Sequence, residues 1–294
     1  MGTGLLKFAL IGFGEAGSIF GEDLVAAGHE VATYDVLLDS SPAMREKARR
    51  LRVRAAETFD DAVGGAGIVI SAVTASSSSD VATQAARVLR AGQVLLDINS
   101  VSPAKKLANA ALVEAAGADY VEAAVMAPVP SQRLRVPMLL GGKRAGEVAQ
   151  ALRDVGMNAT ALSDKIGVAS AVKMCRSIVI KGLEALTLES MLAARRFGAE
   201  REVLESLNGT FPGMGWTGKL PDYLISRVAE HGVRRAAEMR EVARTLSDVG
   251  VEPVMASATA ERQAWLVEAM AASGLEYVDP FSWPALVDGI KKED

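Results

Sequence analysis

Three sets of residues in this chain have the types and spacing that chemistry asks for. The first is Gly12-Phe13-Gly14-Glu15-Ala16-Gly17, a Gly-x-Gly-x-x-Gly run, with Asp35 standing 23 positions after Gly12. In such a run the first glycine permits a tight turn, the second lets the backbone approach a pyrophosphate, and the third allows close helix-to-strand packing. Phosphates then settle on the positive end of the following helix. Asp35 would accept hydrogen bonds from the hydroxyls of an adenine ribose and repel a 2'-phosphate, which favours NAD. NADP stays open because Arg45, Arg49 or Arg50 could fold back onto a phosphate.

The second set is the loop Asp97-Ile98-Asn99-Ser100-Val101-Ser102-Pro103. Ser102 before Pro103 reads as a helix N-cap with proline at the first helical position, a structural task that leaves Asn99 and Ser100 to face a cleft. The third set lies on a helical stretch, residues 166–196. Ser170, Lys173, Ser177, Lys181 and Glu184 collect there on one polar strip at three- and four-residue spacing. A lysine on a solvated strip is the plain reading of Lys173. The alternative is a lysine half-buried against apolar neighbours, whose charged form burial disfavours, and which therefore serves as an acid/base near neutral pH.

These residues need elements to hold them. Residues 8–11 read as a strand, Ile19, Phe20, Leu24 and Val25 keep helical spacing as far as Gly28, and residues 30–34 form a second strand. Further βα units follow: strand 52–55 with a short helix after Thr58, strand 68–73 with a helix near 79–89, and strand 94–97 with a helix opening at Pro103. Strands at 119–124 and 138–141 flank a loop over 125–136, and a helix near 145–155 leads to a last strand at 159–162. The alternation predicts an α/β fold with a parallel, doubly wound Rossmann sheet whose ligands bind beyond the carboxyl ends of the strands. The loops after Val73 and after Asp97 then face the cofactor, with Thr74 either touching a ribose or serving as part of a polar N-cap loop.

The second half reads as helices alone, so we expect a Rossmann domain over 1–164 and an all-helical domain over 165–294, joined by the long helix. Val168, Val172, Cys175, Val179, Leu183 and Leu186 form an apolar side of that helix, widened by Met174, Ile178 and Ile180, and a helix this apolar should be buried. A short helix at 200–207 and a glycine-rich loop with Phe211 and Trp216 as anchors precede a long helix from Pro221 to about residue 249. On it, His231, Arg234 and Glu238 share a face, either as a solvated side or, for His231 and Arg234, as a contact to the anionic end of a substrate. Helices at 253–272 and 282–291, the last capped by Ser282, complete the chain.

Composition narrows the function. The chain has 294 residues, 32 basic against 36 acidic, and no basic tract to mark a nucleic-acid partner. A single cysteine, Cys175, and only His29 and His231 leave no metal-binding spacing and no internal disulfide. Mean hydropathy is +0.20, yet no uncharged run reaches the roughly 18 residues that span a membrane, and the first residues lack a signal-peptide layout. The expectation is a soluble cytoplasmic protein, with surplus apolar surface covered in a homodimer.

With these motifs in place, the chain resembles the β-hydroxyacid dehydrogenase superfamily, which includes 6-phosphogluconate and 3-hydroxyisobutyrate dehydrogenases. The shared features are the glycine fingerprint at Gly12 to Gly17, an Asp-x-Ser-Thr-like loop at Asp97 to Ser100, and a Gly-x-x-x-x-x-Lys helix start at Gly167 to Lys173. The runs DINSVSPAKK, EAAVMAPVPS and VKMCRSIVIKGLEAL are similar to a branch bearing a carboxy-terminal domain of unassigned role. The resemblance implies hydride transfer between NAD(P) and the CH–OH group of a small β-hydroxy acid, with Lys173 as acid/base. Ser100 and Ser177 would then hold the substrate oxygen or orient the lysine ammonium. The family's usual asparagine four residues after the lysine is Ser177 here, and its Asp-x-Pro-Val-Ser-Gly-Gly loop is Glu122-Ala123-Ala124-Val125-Met126-Ala127-Pro128. Ser102, Met126 and Ala127 are further candidates for contact with a small anionic substrate. Reduction of an imine or keto acid, and a non-catalytic NAD sensor, stand as alternatives.

Overall fold

The computed structural model describes residues 5–291. It forms two compact units, 1–173 and 174–294.

The first unit opens with β1 (Lys7–Ile11), α1 (Glu15–Ala26), β2 (Glu30–Tyr34), α2 (Pro42–Arg50), β3 (Arg54–Ala55), α3 (Phe59–Val63), β4 (Ile68–Ser71) and α4 (Ser78–Val88). It continues through β5 (Val94–Asp97), α5 (Pro103–Ala115), β6 (Asp119–Val125), α6 (Val129–Gln132), a 3-10 turn (Arg133–Arg135), β7 (Met138–Gly141), α7 (Ala145–Asp154) and β8 (Ala159–Ser163). The strands form one sheet in the order β3-β2-β1-β4-β5-β6-β7-β8. Successive residues of β1 enter opposite cores, with Phe8 and Leu10 on one side and Ala9 and Ile11 on the other. A strand apolar on both faces is what a sheet covered by helices on each side requires.

One feature of the sheet departs from the alternation. β6 and β7 pair antiparallel, Glu122 opposite Gly141 and Val125 opposite Met138. Residues 126–137 between them hold only the four-residue α6 and the 3-10 turn, no helix long enough to cross the sheet, so the strand returns as a hairpin. The short helix α2 is absent from the sequence pattern because five of its nine residues are charged and only Ala48 is buried.

The helical unit begins within α8 (Val168–Phe197) and adds α9 (Glu200–Thr210), α10 (Leu220–Asp248), α11 (Val254–Ser273) and α12 (Trp283–Gly289). Leu188, Met191, Ile225, Val228, Leu266, Met270 and Trp283 form its main core, and Met174, Met239, Val242, Ala256 and Ala260 a smaller one. At Gly232 a Cβ would stand 2.5 Å from Val267 Cγ2 and 3.0 Å from the Gln263 carbonyl, so α10 and α11 cross where only glycine fits. The preceding residue, His231, leaves helical geometry (φ −129°, ψ 15°), and α10 kinks there.

The polarity of α8 departs in part from the apolar-face expectation: Met174 is buried as expected, but much of the apolar side is not. Ser170, Lys181 and Glu184 are buried, whereas Val179 is 69% exposed, Leu186 56% and Ile180 40%. The buried polar groups are satisfied: Lys181 Nζ lies 2.5 Å from Glu238 Oε2, and Arg235 donates to both Glu184 oxygens at 2.7–2.8 Å. Paired charges can occupy an interior that unpaired ones cannot. Ser282 precedes α12 without a side-chain cap bond, which corrects the capping expectation.

Candidate active site

The glycine turn is built by close packing. Gly12 adopts φ +95°, and a Cβ there would stand 2.4 Å from the Ala72 carbonyl oxygen. A Cβ on Gly17 would stand 2.0 Å from the Gly12 carbonyl oxygen, so α1 can leave β1 this tightly only with glycine at both places. Around Gly14 there is open space, and no side chain caps the start of α1. The first amides of α1, from Glu15 and Ala16 onward, are therefore available to a phosphate. Asp35 closes the far side, with Oδ2 accepting from Phe13 N at 2.7 Å and Oδ1 from Leu37 N at 2.9 Å. These residues fit an adenine dinucleotide.

Two of the arginines that follow are committed elsewhere. Arg45 donates to the Leu38 carbonyl at 2.7 Å and to Asp39 at 2.6 Å, and Arg49 pairs with Glu46. The cation beside the turn is Lys47, whose Nζ lies 3.4 Å from the Gly14 carbonyl oxygen and 5.5 Å from the centre of the Phe13 ring.

The loop after β5 is braced from below. Asp97 is buried and bonded to Lys106 Nζ (2.9 Å), Tyr120 Oη (2.6 Å) and the Asn99 amide (2.9 Å). Burial pushes its carboxyl up, but Lys106, Tyr120 and Asn99 outweigh that and hold it below the usual range. Asn99 turns inward. Its Oδ1 accepts from Val73 N at 2.8 Å and its Nδ2 donates to Ser71 Oγ at 2.8 Å, tying this loop to the one after β4. Ser102 accepts from Lys105 N and caps α5. Thr74 shares hydroxyl contacts with Ser76 and Ser77.

Ser100 of this loop meets Lys173. Lys173 Nζ donates to Ser100 Oγ at 2.6 Å, and both residues are half-buried. The start of α8 is held by Glu122, fully buried on β6: Oε1 accepts from Gly167 N (2.7 Å) and Ala169 N (3.0 Å), and Oε2 from Ser170 N (3.3 Å).

The altered loop after β6 continues the hairpin, with Met126 N donating to the Pro137 carbonyl at 2.8 Å. Met126 and Ala127 are half-buried. Arg133, at φ +54°, anchors the loop to Glu22 and Asp23 of α1. Ser177 lies farther along α8, in the helical unit. His231 and Arg234 belong to that unit too, where His231 Nε2 is 3.3 Å from Glu230 and Arg234 3.5 Å from Glu238. No motif marks Glu122 or Lys106 in the sequence. The signal for Glu122 is an acid in the middle of a largely apolar strand, and for Lys106 a lysine three residues inside a helix that faces the sheet.

A glycine turn at a helix start, an acid at the end of the next strand and a lysine–serine pair beyond the carboxyl ends of parallel strands define a dinucleotide-binding Rossmann protein with an appended helical unit. The chain belongs to the family defined by the NAD-binding domain of 6-phosphogluconate dehydrogenase, which residues 7–162 match. Residues 194–266 match a domain of unknown function, DUF1932. A conserved hypothetical protein from Sinorhizobium meliloti is similar at 36% identity, covering 98% of this chain and 97% of its own, with a TM-score of 0.83. Mycobacterium tuberculosis 3-hydroxyisobutyrate dehydrogenase, solved with L-serine, shares the fold at 17% identity, 98% and 100% coverage and a TM-score of 0.77. An imine reductase from Myxococcus stipitatus, solved with NAD+, shares it at 19% identity, 97% and 99% coverage and a TM-score of 0.62. Among the described residues, no helix is long and apolar enough to cross a membrane.

Proposed function

We propose that this chain is an NAD(P)-dependent oxidoreductase that interconverts the CH–OH group of a small β-hydroxy acid and the corresponding carbonyl, with Lys173 as the acid/base. The observation that carries the reading is the 2.6 Å hydrogen bond from Lys173 Nζ to Ser100 Oγ, which joins the start of α8 to the carboxyl end of β5. Ligands of open α/β sheets bind at that edge, and the glycine turn after β1 opens on the same one.

Gly12, Gly14 and Gly17, the amides of Glu15 and Ala16, and Asp35 would hold the dinucleotide, whose nicotinamide supplies the two-electron hydride acceptor. As hydride leaves the carbinol carbon, the hydroxyl must lose a proton, and neutral Lys173 receives it. In the reverse direction the lysine ammonium returns that proton to the carbonyl oxygen. Ser100, already bonded to Lys173, orients the amine and holds the substrate oxygen. Ser177, in the asparagine position of the family pattern, is assigned a supporting role on the same helix. Asp35, seated on Phe13 N, favours NAD over NADP. The Met126–Ala127 loop, which lacks the family's glycines, is assigned a contact with the substrate.

The test is cofactor binding by NADH fluorescence, followed by turnover of a panel of 3-hydroxy acids by wild type and Lys173→Ala. Retained NADH binding with turnover lowered by about 10²–10⁴-fold is the expected result for loss of a general base. Wild-type turnover by the alanine variant would overturn the assignment.

A further inference from the structure

Glu122 is a buried acid whose hydrogen-bonding capacity is spent on one task. Its 0% exposed carboxylate accepts from Gly167, Ala169 and Ser170, the amides that open α8 and have no intrahelical acceptor. Helices are ordinarily capped by the residue just before them, whereas here the cap comes from a strand remote in sequence. The sheet makes room for it. A Cβ on Gly141, the register partner of Glu122 on β7, would stand 2.6 Å from Glu122 Oε1 and 2.8 Å from the Lys165 carbonyl oxygen, so glycine at 141 admits the carboxylate. On its other side Glu122 is the register partner of Asp97 on β5. Two adjacent positions of the sheet therefore hold the two partners of the central hydrogen bond, Asp97 through the loop that carries Ser100 and Glu122 through the helix that carries Lys173.

Helical spacing adds the link to chemistry. Lys173 follows Ala169 by four residues and Ser170 by three, so it stands one turn along α8 from the amides that Glu122 holds. A rigid grip on the first turn fixes the height and rotation of the second. We propose that Glu122 is a positioning residue for the reaction, which anchors the amino-terminal turn of α8 to the sheet so that the Lys173 amine is delivered to Ser100 and the substrate oxygen. The proposal rests on the reading of Lys173 as acid/base.

The experiment compares wild type, Glu122→Gln, Glu122→Asp and Lys173→Ala as full chains. It measures NADH affinity, kcat and KM with a 3-hydroxy acid from the panel, and amide hydrogen exchange across residues 167–173. Glutamine keeps the length but trades the charge and one acceptor for an amide group. Aspartate keeps the charge and is one methylene short. A misplacement of about 1 Å is enough to cost about 10²-fold in rate. Glu122→Gln is therefore expected to lower kcat by about 10- to 100-fold, with NADH affinity within about twofold of wild type and faster exchange at residues 167–173. Glu122→Asp should recover part of both losses. Should glutamine prevent folding, the aspartate variant carries the same test, with kcat lowered and NADH affinity kept. Wild-type kcat in a variant whose exchange has quickened would overturn the positioning role. A fall in NADH affinity equal to the fall in kcat would also overturn it, showing a general collapse of the unit. Turnover retained by Lys173→Ala would instead remove the reading on which the proposal rests, a result distinct from either.

Discussion

Lys106 Nζ lies 2.9 Å from Asp97 Oδ1 and 2.7 Å from the Asp97 backbone carbonyl oxygen, and neither side chain is more than 2% exposed. This ion pair sits directly beneath the loop that presents Ser100. Removing one partner of a buried pair strands the other charge, at a cost of about 3–5 kcal/mol. Lys106→Met is expected to lower unfolding stability by that amount in urea titration, while Lys106→Met combined with Asp97→Asn recovers part of it. The pH dependence has a definite sign. Asp97 is held below its ordinary value in the folded chain, so its contribution is present above the usual carboxylate range and is lost as pH falls through the folded value. A double variant no less destabilised than the lysine variant would refute the stranded-charge account.

Ser100 should matter less than Lys173. The lysine moves the proton, whereas the serine orients it, and Oγ can be replaced in part by water. Ser100→Ala is expected to lower kcat by about 10-fold, against the 10²–10⁴-fold of a lost general base, with unchanged NADH affinity. Equal losses in the two variants would mean that the hydroxyl itself takes part in proton transfer.

The elements that hold these residues differ in how readily they are seen in the sequence. The β1–α1–β2 unit is legible because its constraints are local: Gly12, Gly17 and Asp35 meet within one turn and two strands. The β7 direction is not, since period-two patterning tells a strand from a helix but says nothing of its orientation. On α8, hydrophobic periodicity assigned the apolar residues to the interior, but Glu184 and Lys181 are buried through partners on α10 that lie some 50 residues away. Pairing over that distance has no local signature. Asn99 shows the same limit in the site itself, since its type suggested a ligand contact while its amide bridges Val73 and Ser71.

Asp35 sets up a test of cofactor choice. Its carboxylate already accepts two backbone amides, and Arg45 and Arg49, two of the three arginines that could hold a 2'-phosphate, are paired with Asp39 and Glu46. Wild type is expected to bind NADH more tightly than NADPH, and Asp35→Asn to narrow the ratio of the two Kd values by about 10-fold, or 1.4 kcal/mol. Tighter NADPH binding by the wild type would assign the phosphate to Arg50 or to Lys47, 3.4 Å from the Gly14 carbonyl.

The apolar residues left uncovered on the helical unit lead to a prediction about assembly. Val179 and Leu186 on α8 and Val233 on α10 are 69%, 56% and 70% exposed. Large apolar side chains left this exposed gain from burial against a partner, and a second copy of the chain is the occupant we expect. Light scattering at micromolar concentration should give twice the mass of one chain, and Val179→Asp with Leu186→Asp should halve it. A wild-type mass of one chain would rule the dimer out.

Glu184 should give the helical unit an unusual response to pH. Burial pushes its carboxyl from 4.5 up to about 7, although Arg235 and Lys181 pull the other way. A carboxyl whose value is raised on folding binds its proton more tightly in the folded state. Its contribution is therefore greatest below about pH 4.5 and falls as pH rises to about 7, by at most about 3 kcal/mol. His231 acts in the opposite sense just below its ordinary 6.5, because burial, then Arg227, holds it down. The comparison that isolates Glu184 is therefore between wild type and Glu184→Gln, with the urea midpoint followed from pH 5 to 7.5. Wild type should lose stability relative to the glutamine variant across that interval. Parallel curves would show that Arg235, at 2.7 Å, keeps Glu184 ionised throughout and that the pair outweighs its own burial.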